Sequence, residues 1–236
     1  MDRTAARKKT TAMISPISQP VMVPVDGEAL AGDVVVPASA RAVVLFAHGS
    51  GSSRHSPRNR MVAEQLRTAG LGTVLMDLLT EREDREDEWT AEHRFDIPLL
   101  GSRVVAVIDW LEAQPATKGL PVALFGASTG AAAALVAAAE RPDRVLTVIS
   151  RGGRPDLAGD ALHRVRAPVL FIVGGRDLEV LELNQHAAAQ LRVAHSLRVV
   201  PGATHLFEEP GTLEQVADTA KEWCQARLAS LTAPED

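Results

Sequence analysis

The sequence predicts an α/β protein built on one doubly wound, mostly parallel sheet with helices on both faces. Two observations carry this. Short apolar runs alternate with amphipathic runs of helical spacing from about residue 42 onward, as expected of strands buried on both faces and joined by helices. The chain's 236 residues, 46% of them hydrophobic, suit one sizeable domain and are short for two. Residues 20–231 are expected to form that domain, and residues 1–19 and 232–236 read as flexible tails.

Val21 to Val25 and Ala29 to Val36 flank Asp26-Gly27, a hairpin turn signal, so an antiparallel pair precedes the main sheet. Ala42 to Ala47 is a buried strand. Pro57 to Ala69 places Met61, Val62, Leu66 and Ala69 at helical spacing and stops at Gly70. Gly72 to Leu79 is the next strand. Glu81 to His93 is charged, shows no apolar periodicity and is expected to be an exposed loop forming a solvated rim. Ile97 to Leu111 is a helix with Leu100, Val104, Val107, Ile108 and Leu111 on one face. Strand 121–125 and an alanine-rich helix follow, then strand Val145 to Ile149 and a short helix, Pro155 to Val165. Strand Pro168 to Val173, helix Leu178 to Leu191, strand Ser196 to Val200 and an amphipathic helix, Thr212 to Leu231, complete the order.

Functional loops in such sheets lie beyond the carboxyl ends of the strands. Strand 121–125 leads into Gly126-Ala127-Ser128-Thr129-Gly130, a G-x-S-x-G turn between strand and helix. That context lifts a serine hydroxyl above the sheet edge, and it demands glycines where strand and helix come too close for side chains. Strand 42–47 delivers His48-Gly49-Ser50-Gly51, strand 168–173 delivers Gly175-Arg176-Asp177, and strand 196–200 delivers Gly202-Ala203-Thr204-His205. A nucleophile, an acid and a base therefore reach one sheet edge in that chain order. Ser128 needs a base to remove its proton during attack. His205 can take that proton and return it to a leaving group, and Asp177 would hold the imidazole in the required tautomer. An oxyanion needs two N–H donors, supplied by Thr129 and by Ser50, with Gly51 as the alternative to Ser50. His48, before the oxyanion glycine, is read as a hydrogen-bonding residue of the loop.

These residues, His48-Gly49, the pentapeptide around Ser128, Gly175-Arg176-Asp177 and Gly202 to Phe207, resemble the α/β-hydrolase superfamily. Within it the chain is similar to the small, cap-less branch of dienelactone hydrolase, over roughly residues 20 to 230. Dienelactone hydrolase itself uses a cysteine nucleophile, whereas Ser128 stands at that place here. Only Ser150 to Ala167 fills the stretch where the superfamily often inserts a lid, which implies an open site and no lid domain.

The expected activity is hydrolysis of a small carboxylic ester, thioester or lactone through an acyl-enzyme. Acyl transfer or cofactor-free perhydrolysis would use the same triad, and a non-catalytic binding protein on this scaffold is the reading from another class. Arg54 and Arg58, in a cluster with His55, Asn59 and Arg60, and Arg151 beyond strand 145–149, are candidates to hold a substrate carboxylate or phosphate. The alternative for the cluster is a solvated helix start. No metal-ligand spacing and no nucleotide-binding glycine pattern occurs, so no metal and no cofactor are expected.

A formal net charge of −5 and eight aromatic residues give no case for nucleic acid. No apolar run approaches the ~20 residues needed to span a bilayer. Arg3, Arg7, Lys8 and Lys9 are not followed by the apolar core of a secretory leader, and one cysteine, Cys224, suits a reducing compartment. A cytoplasmic enzyme with a small-molecule acyl substrate is the combined expectation.

Overall fold

The structure is a computed structural model, and it describes residues 17–231. One eight-stranded sheet runs in the order β1-β2-β4-β3-β5-β6-β7-β8. The strands are β1 (Ile17–Val25), β2 (Glu28–Val36), β3 (Val43–Ala47), β4 (Gly72–Met76), β5 (Val122–Ala127), β6 (Val145–Arg151), β7 (Val169–Gly174) and β8 (His195–Val200). β1 pairs antiparallel with β2 and β2 antiparallel with β4; every pairing from β4 to β8 is parallel. The doubly wound sheet and the leading hairpin are as the sequence predicts.

β1 begins at Ile17, four residues before the apolar run at Val21. Ile17, Ser18 and Gln19, expected in the tail, pair with Val36, Val35 and Val34. Edge pairing is made by the backbone, so a strand with an exposed face needs little apolar signature. The rest of the two expected tails, residues 1–16 and 232–236, lies outside the described residues. β1 and β8 form the sheet edges, and β1 carries Pro20 and Pro24.

Alternation along each strand builds two cores. Val43, Leu45 and Ala47 of β3 face one side, with α3 (Ile97–Ala113), α4 (Thr129–Glu140) and α5 (Leu178–Gln190). Val44 and Phe46 face the other, with α1 (Pro57–Thr68) and α6 (Thr212–Ser230). On α6 the buried stripe Val216, Ala217, Ala220, Cys224 and Leu228 follows helical spacing. Residues 155–164 form 3₁₀ turns broken at Gly159 rather than a regular helix.

A further expectation is overturned. Glu81–Thr90 is a helix, α2, not a loop. Thr80 caps it: Glu83 N–H donates to Thr80 Oγ1 (3.3 Å) and Thr80 N–H donates to Glu83 Oε2 (2.9 Å), a capping box. Glu81, Glu83 and Asp84 suit the helix N-terminus. Its buried residues are Glu83 and Asp87, one turn apart. Arg103 of α3, itself buried, donates to Glu83 Oε1 (2.8 Å) and to Asp26 Oδ2 (3.0 Å). Asp87 accepts from Arg94 Nε (2.6 Å) and from the His93 (2.7 Å) and Arg94 (3.0 Å) amides. The helix therefore docks through carboxylates paired to arginines outside it, which an apolar periodicity test cannot detect.

Replacing Glu83 with Ala removes half of the capping box and leaves Arg103 without its buried partner. That substitution should lower unfolding free energy by about 3 kcal/mol, measured by urea denaturation. Burial alone would raise the Asp87 pKa, but the hydrogen bonds from Arg94 and the His93 amide outweigh it and hold the carboxyl below its ordinary value. The folded chain thus binds this proton less readily than the unfolded chain. Its stabilisation is complete above an unfolded pKa of about 3.9 and fades as pH falls through the lower folded value. The stability gap between wild type and Asp87→Asn should stay constant from neutral pH to about 5 and close below about 4, read from urea midpoints across that range.

Candidate active site

Ser128 occupies the turn between β5 and α4 with φ 49° and ψ −122°, a left-handed conformation that side chains rarely adopt. Three glycines permit it. A Cβ on Gly126 would lie 2.4 Å from Ala131 Cα, one on Gly130 would lie 2.2 Å from the Ala47 oxygen, and one on Gly49 would lie 2.9 Å from Ser128 Cβ. The strand-to-helix crowding read from the pentapeptide is present at Gly126. At Gly130 the crowding comes from the end of β3, which seats the oxyanion loop against the α4 N-terminus. Ser128 N–H donates to the Arg151 oxygen (3.3 Å), fastening the turn to the end of β6.

The loops carrying Asp177 and His205 are joined backbone to backbone. Gly175 N–H donates to the Val200 oxygen (2.8 Å) and Arg176 N–H to the Ala203 oxygen (2.9 Å). Gly174 lacks the Cβ that would sit 2.5 Å from that Ala203 oxygen. Thr204 N–H donates to both carboxylate oxygens of Glu209 (3.2 and 3.1 Å), closing the histidine loop. Asp177 stands at the N-cap of α5 but makes no capping hydrogen bond. Its Oδ2 lies 2.7 Å from His205 Nδ1 instead. That contact leaves Nε2 directed away from the carboxylate. Among the described residues Ser128 Oγ makes no hydrogen bond, and His205 keeps 39% of its side chain exposed.

Thr129 N–H, in the first turn of α4, has no partner among the described residues. Ser50 N–H donates to Thr129 Oγ1 at 2.9 Å, which draws the loop after β3 toward the residue following Ser128. Gly51 has φ 66° and open space around it. His48 is buried and accepts from Leu78 N–H through Nε2 (3.0 Å), while Nδ1 lies 2.9 Å from the Gly49 oxygen. A carbonyl can only accept, so Nδ1 carries the proton and the ring is neutral. Burial holds its pKa below the ordinary value.

The basic cluster divides. Arg54 is bound through its guanidinium and its amide (2.7 Å) to Asp77, Arg60 meets Asp33 (2.8 Å), and Arg58 reaches Glu208 at 3.3 Å. Arg154 pairs with Asp156 (2.8 Å). Arg151 is buried and has no carboxylate partner among the described residues. Asp77 and Asn59 organise these loops through contacts remote in the chain, with Arg54 and Arg151, and Glu209 through the Thr204 amide five residues before it; neither Asp77 nor Glu209 carried a signal in the sequence.

A cavity of about 450 Å³ opens beside the oxyanion loop, lined by Ser50, Thr129, Leu78 and Leu100 and walled by Asp84 and Glu88 of α2. Ser128 and His205 are outside its lining. Among the described residues no group of His, Cys, Asp and Glu could hold a metal ion, and no helix is long and apolar enough to cross a membrane.

Residues 30–232 match the family model described as the dienelactone hydrolase family. A dienelactone hydrolase from Anabaena variabilis is 55% identical, with a TM-score of 0.87 over 89% of this chain and 98% of that one. Est1E from Butyrivibrio proteoclasticus shares the fold at 18% identity, with a TM-score of 0.74 over 89% of this chain and 99% of that one. Two Mycobacterium tuberculosis proteins, provisionally named phosphoribosyl transferases, are 61% identical over 194 residues, which is 82% of this chain and 43% of theirs. The chain thus spans less than half the length of those curated relatives.

The Gly130 contact makes a sharp prediction. Gly130→Ala should destabilise the fold by about 3 kcal/mol, because the added methyl meets two backbone oxygens that cannot rotate away. Thermal and urea unfolding of the variant check it; a wild-type midpoint would show that the seat is looser than the geometry states.

Proposed function

We propose, for a chain that belongs to the dienelactone hydrolase family, a serine-hydrolase reaction that cleaves a small carboxylic ester, thioester or lactone. A hydrolase is the coarse assignment that the family carries. The finer reading rests on one observation: the 2.7 Å contact between His205 Nδ1 and Asp177 Oδ2 on the sheet edge that presents the strained Ser128. Asp177 keeps the Nδ1 proton in place, so Nε2 offers a lone pair. Ser128 Oγ attacks the acyl carbon as Nε2 takes its proton, and the leaving group departs with that proton. Water, activated by the same imidazole, then cleaves the acyl-enzyme.

The Thr129 and Ser50 N–H groups receive the oxyanion. In the resting site Ser50 N–H is turned to Thr129 Oγ1 (2.9 Å), a neutral acceptor. A developing oxyanion is a stronger, charged one and draws the same N–H. Each such donor contributes about 3 kcal/mol to the transition state. The open mouth and the cavity beside the oxyanion loop favour a small polar acyl substrate. Burial pushes the Cys224 thiol up to about 12, which leaves little thiolate at neutral pH, so this cysteine takes no part in the proposed reaction. The transferase name of the mycobacterial proteins belongs to chains of which this one matches 43%, and the reaction proposed here is assigned to the matched part.

Ser128→Ala should fold normally and lose activity by on the order of 10⁴–10⁶ in kcat. Intact-mass analysis after a fluorophosphonate probe should show one adduct on wild type, mapping to Ser128, and none on the variant. Retained turnover in Ser128→Ala would sink the mechanism.

A further inference from the structure

Arg151 is the residue that ester cleavage leaves unused. It ends β6, and its backbone oxygen receives Ser128 N–H, so it stands directly beside the nucleophile. The residue is 6% exposed, yet its side-chain contacts are uncharged: Asn59 Oδ1 at 3.2 Å from Nη2, and the Phe207 ring, 5.8 Å from the guanidinium carbon. Elsewhere the fold answers such cations with carboxylates, Arg103 with Glu83 and Arg54 with Asp77. Here the charged neighbour is Arg58. Burial first, then that like charge, lowers the Arg151 pKa to about 10. Arg151 Nε and Arg58 Nε are both buried without a hydrogen-bond partner among the described residues, as are Arg103, Arg144 and Arg227 Nε; Arg103 and Arg144 differ from Arg151 in meeting a carboxylate. A buried guanidinium near another cation is unfavourable unless an anion joins them.

The surroundings suit that anion. Arg58 is the second residue of α1, whose N-terminus carries partial positive charge. Glu208, the one carboxylate in contact with Arg58 among the described residues, is 64% exposed and 3.3 Å away, so it can swing out. Two cationic side chains from different elements, Arg151 of β6 and Arg58 of α1, are then brought to one region by the Arg151–Asn59 contact. A planar monoanion satisfies one such fork; a tetrahedral phosphate group of charge about −1.5 to −2 satisfies two.

We propose that Arg151 and Arg58 form a phosphate-binding subsite at the α1 N-terminus, beside Ser128, that selects acyl esters of phosphorylated small molecules. The substrate clause rests on the serine-hydrolase reading; the binding site does not. No covalent step involves the phosphate, which anchors the substrate while Ser128 cleaves the acyl bond.

Binding is therefore tested without turnover, on the full chain carrying Ser128→Ala. Titration calorimetry with inorganic phosphate at constant ionic strength should show saturable one-site binding, weakened at least tenfold by adding Arg58→Met, a partly exposed position that folding tolerates. Arg151→Met should abolish it, and circular dichroism checks that this buried variant is folded. On the active enzyme, kcat/KM for an acetyl ester carrying a phosphate monoester should exceed that for its uncharged analogue. Arg58→Met should reduce that ratio at least tenfold, through KM. No phosphate binding, equal binding by the Arg58 variant, or acetate binding as tightly as phosphate overturns the proposal. Loss of stability with an unchanged substrate ratio in Arg151→Met would make Arg151 a structural pin of the Phe207 loop and also overturn it. Phosphate binding by a wild type that cleaves no ester would instead refute only the hydrolase reading.

Discussion

The approach of α4 to the sheet governs the sheet edge where Ser128, Asp177 and His205 stand. The helix begins one residue after Ser128, and its first turn lies so near the end of β3 that Gly130 sits against the carbonyls of Ala47 and His48. Behind it, Ala131 to Ala134, Ala137 and Ala138 are buried. Small side chains let the helix axis come close to β5 and β6, and Gly101 of α3 admits Val136 on the other side, where a Cβ would be 2.7 Å from its Cγ1. Close packing of this kind turns volume into position. The strained dihedrals of Ser128 persist because the surrounding contacts leave the turn no room to relax. The same contacts carry the α4 N-terminus and the Thr129 amide to the place where an oxyanion would form.

Position at the other loops is set by hydrogen bonds rather than by crowding alone. The loops carrying Asp177 and His205 share backbone bonds, so the two side chains are held in one bonded unit. The oxyanion loop is tied at both ends, by His48 to Leu78 N–H and by Ser50 N–H to Thr129 Oγ1. These are buried or half-buried contacts in which a donor left unpaired would cost free energy comparable to the bond itself. Stiffness at the site therefore comes from completed polar pairs laid over a close-packed base.

Much of this was legible in the sequence because it is local. Strand runs, helical stripes and the pentapeptide around Ser128 each announce themselves within a few residues, and the doubly wound rule carries them to one edge. What was not legible depends on residues distant in the chain. Glu81–Thr90 looked like a loop because its buried positions, Glu83 and Asp87, are carboxylates whose partners, Arg103 and Arg94, lie outside the helix. Residues 17–19 looked like tail because an edge strand pairs through backbone atoms. Arg54 looked free because Asp77, at the end of the next strand in the chain, carries no mark of its role. Local patterns reveal elements, whereas charge pairing across the fold reveals itself only in three dimensions.

Pro20 and Pro24 in β1 have a consequence for the molecule's outer border. They are four residues apart, so both would direct their N–H groups to the same side of the strand. They pair opposite Asp33 and Ala29 within the β1–β2 ladder. A proline has no N–H to give, and within a sheet it is tolerated where that group would face solvent. The unpaired side of β1 thus lacks donors at two places where a further strand would need them. A foreign chain laid along that border would leave its own carbonyls unsatisfied, and the sheet resists being extended there.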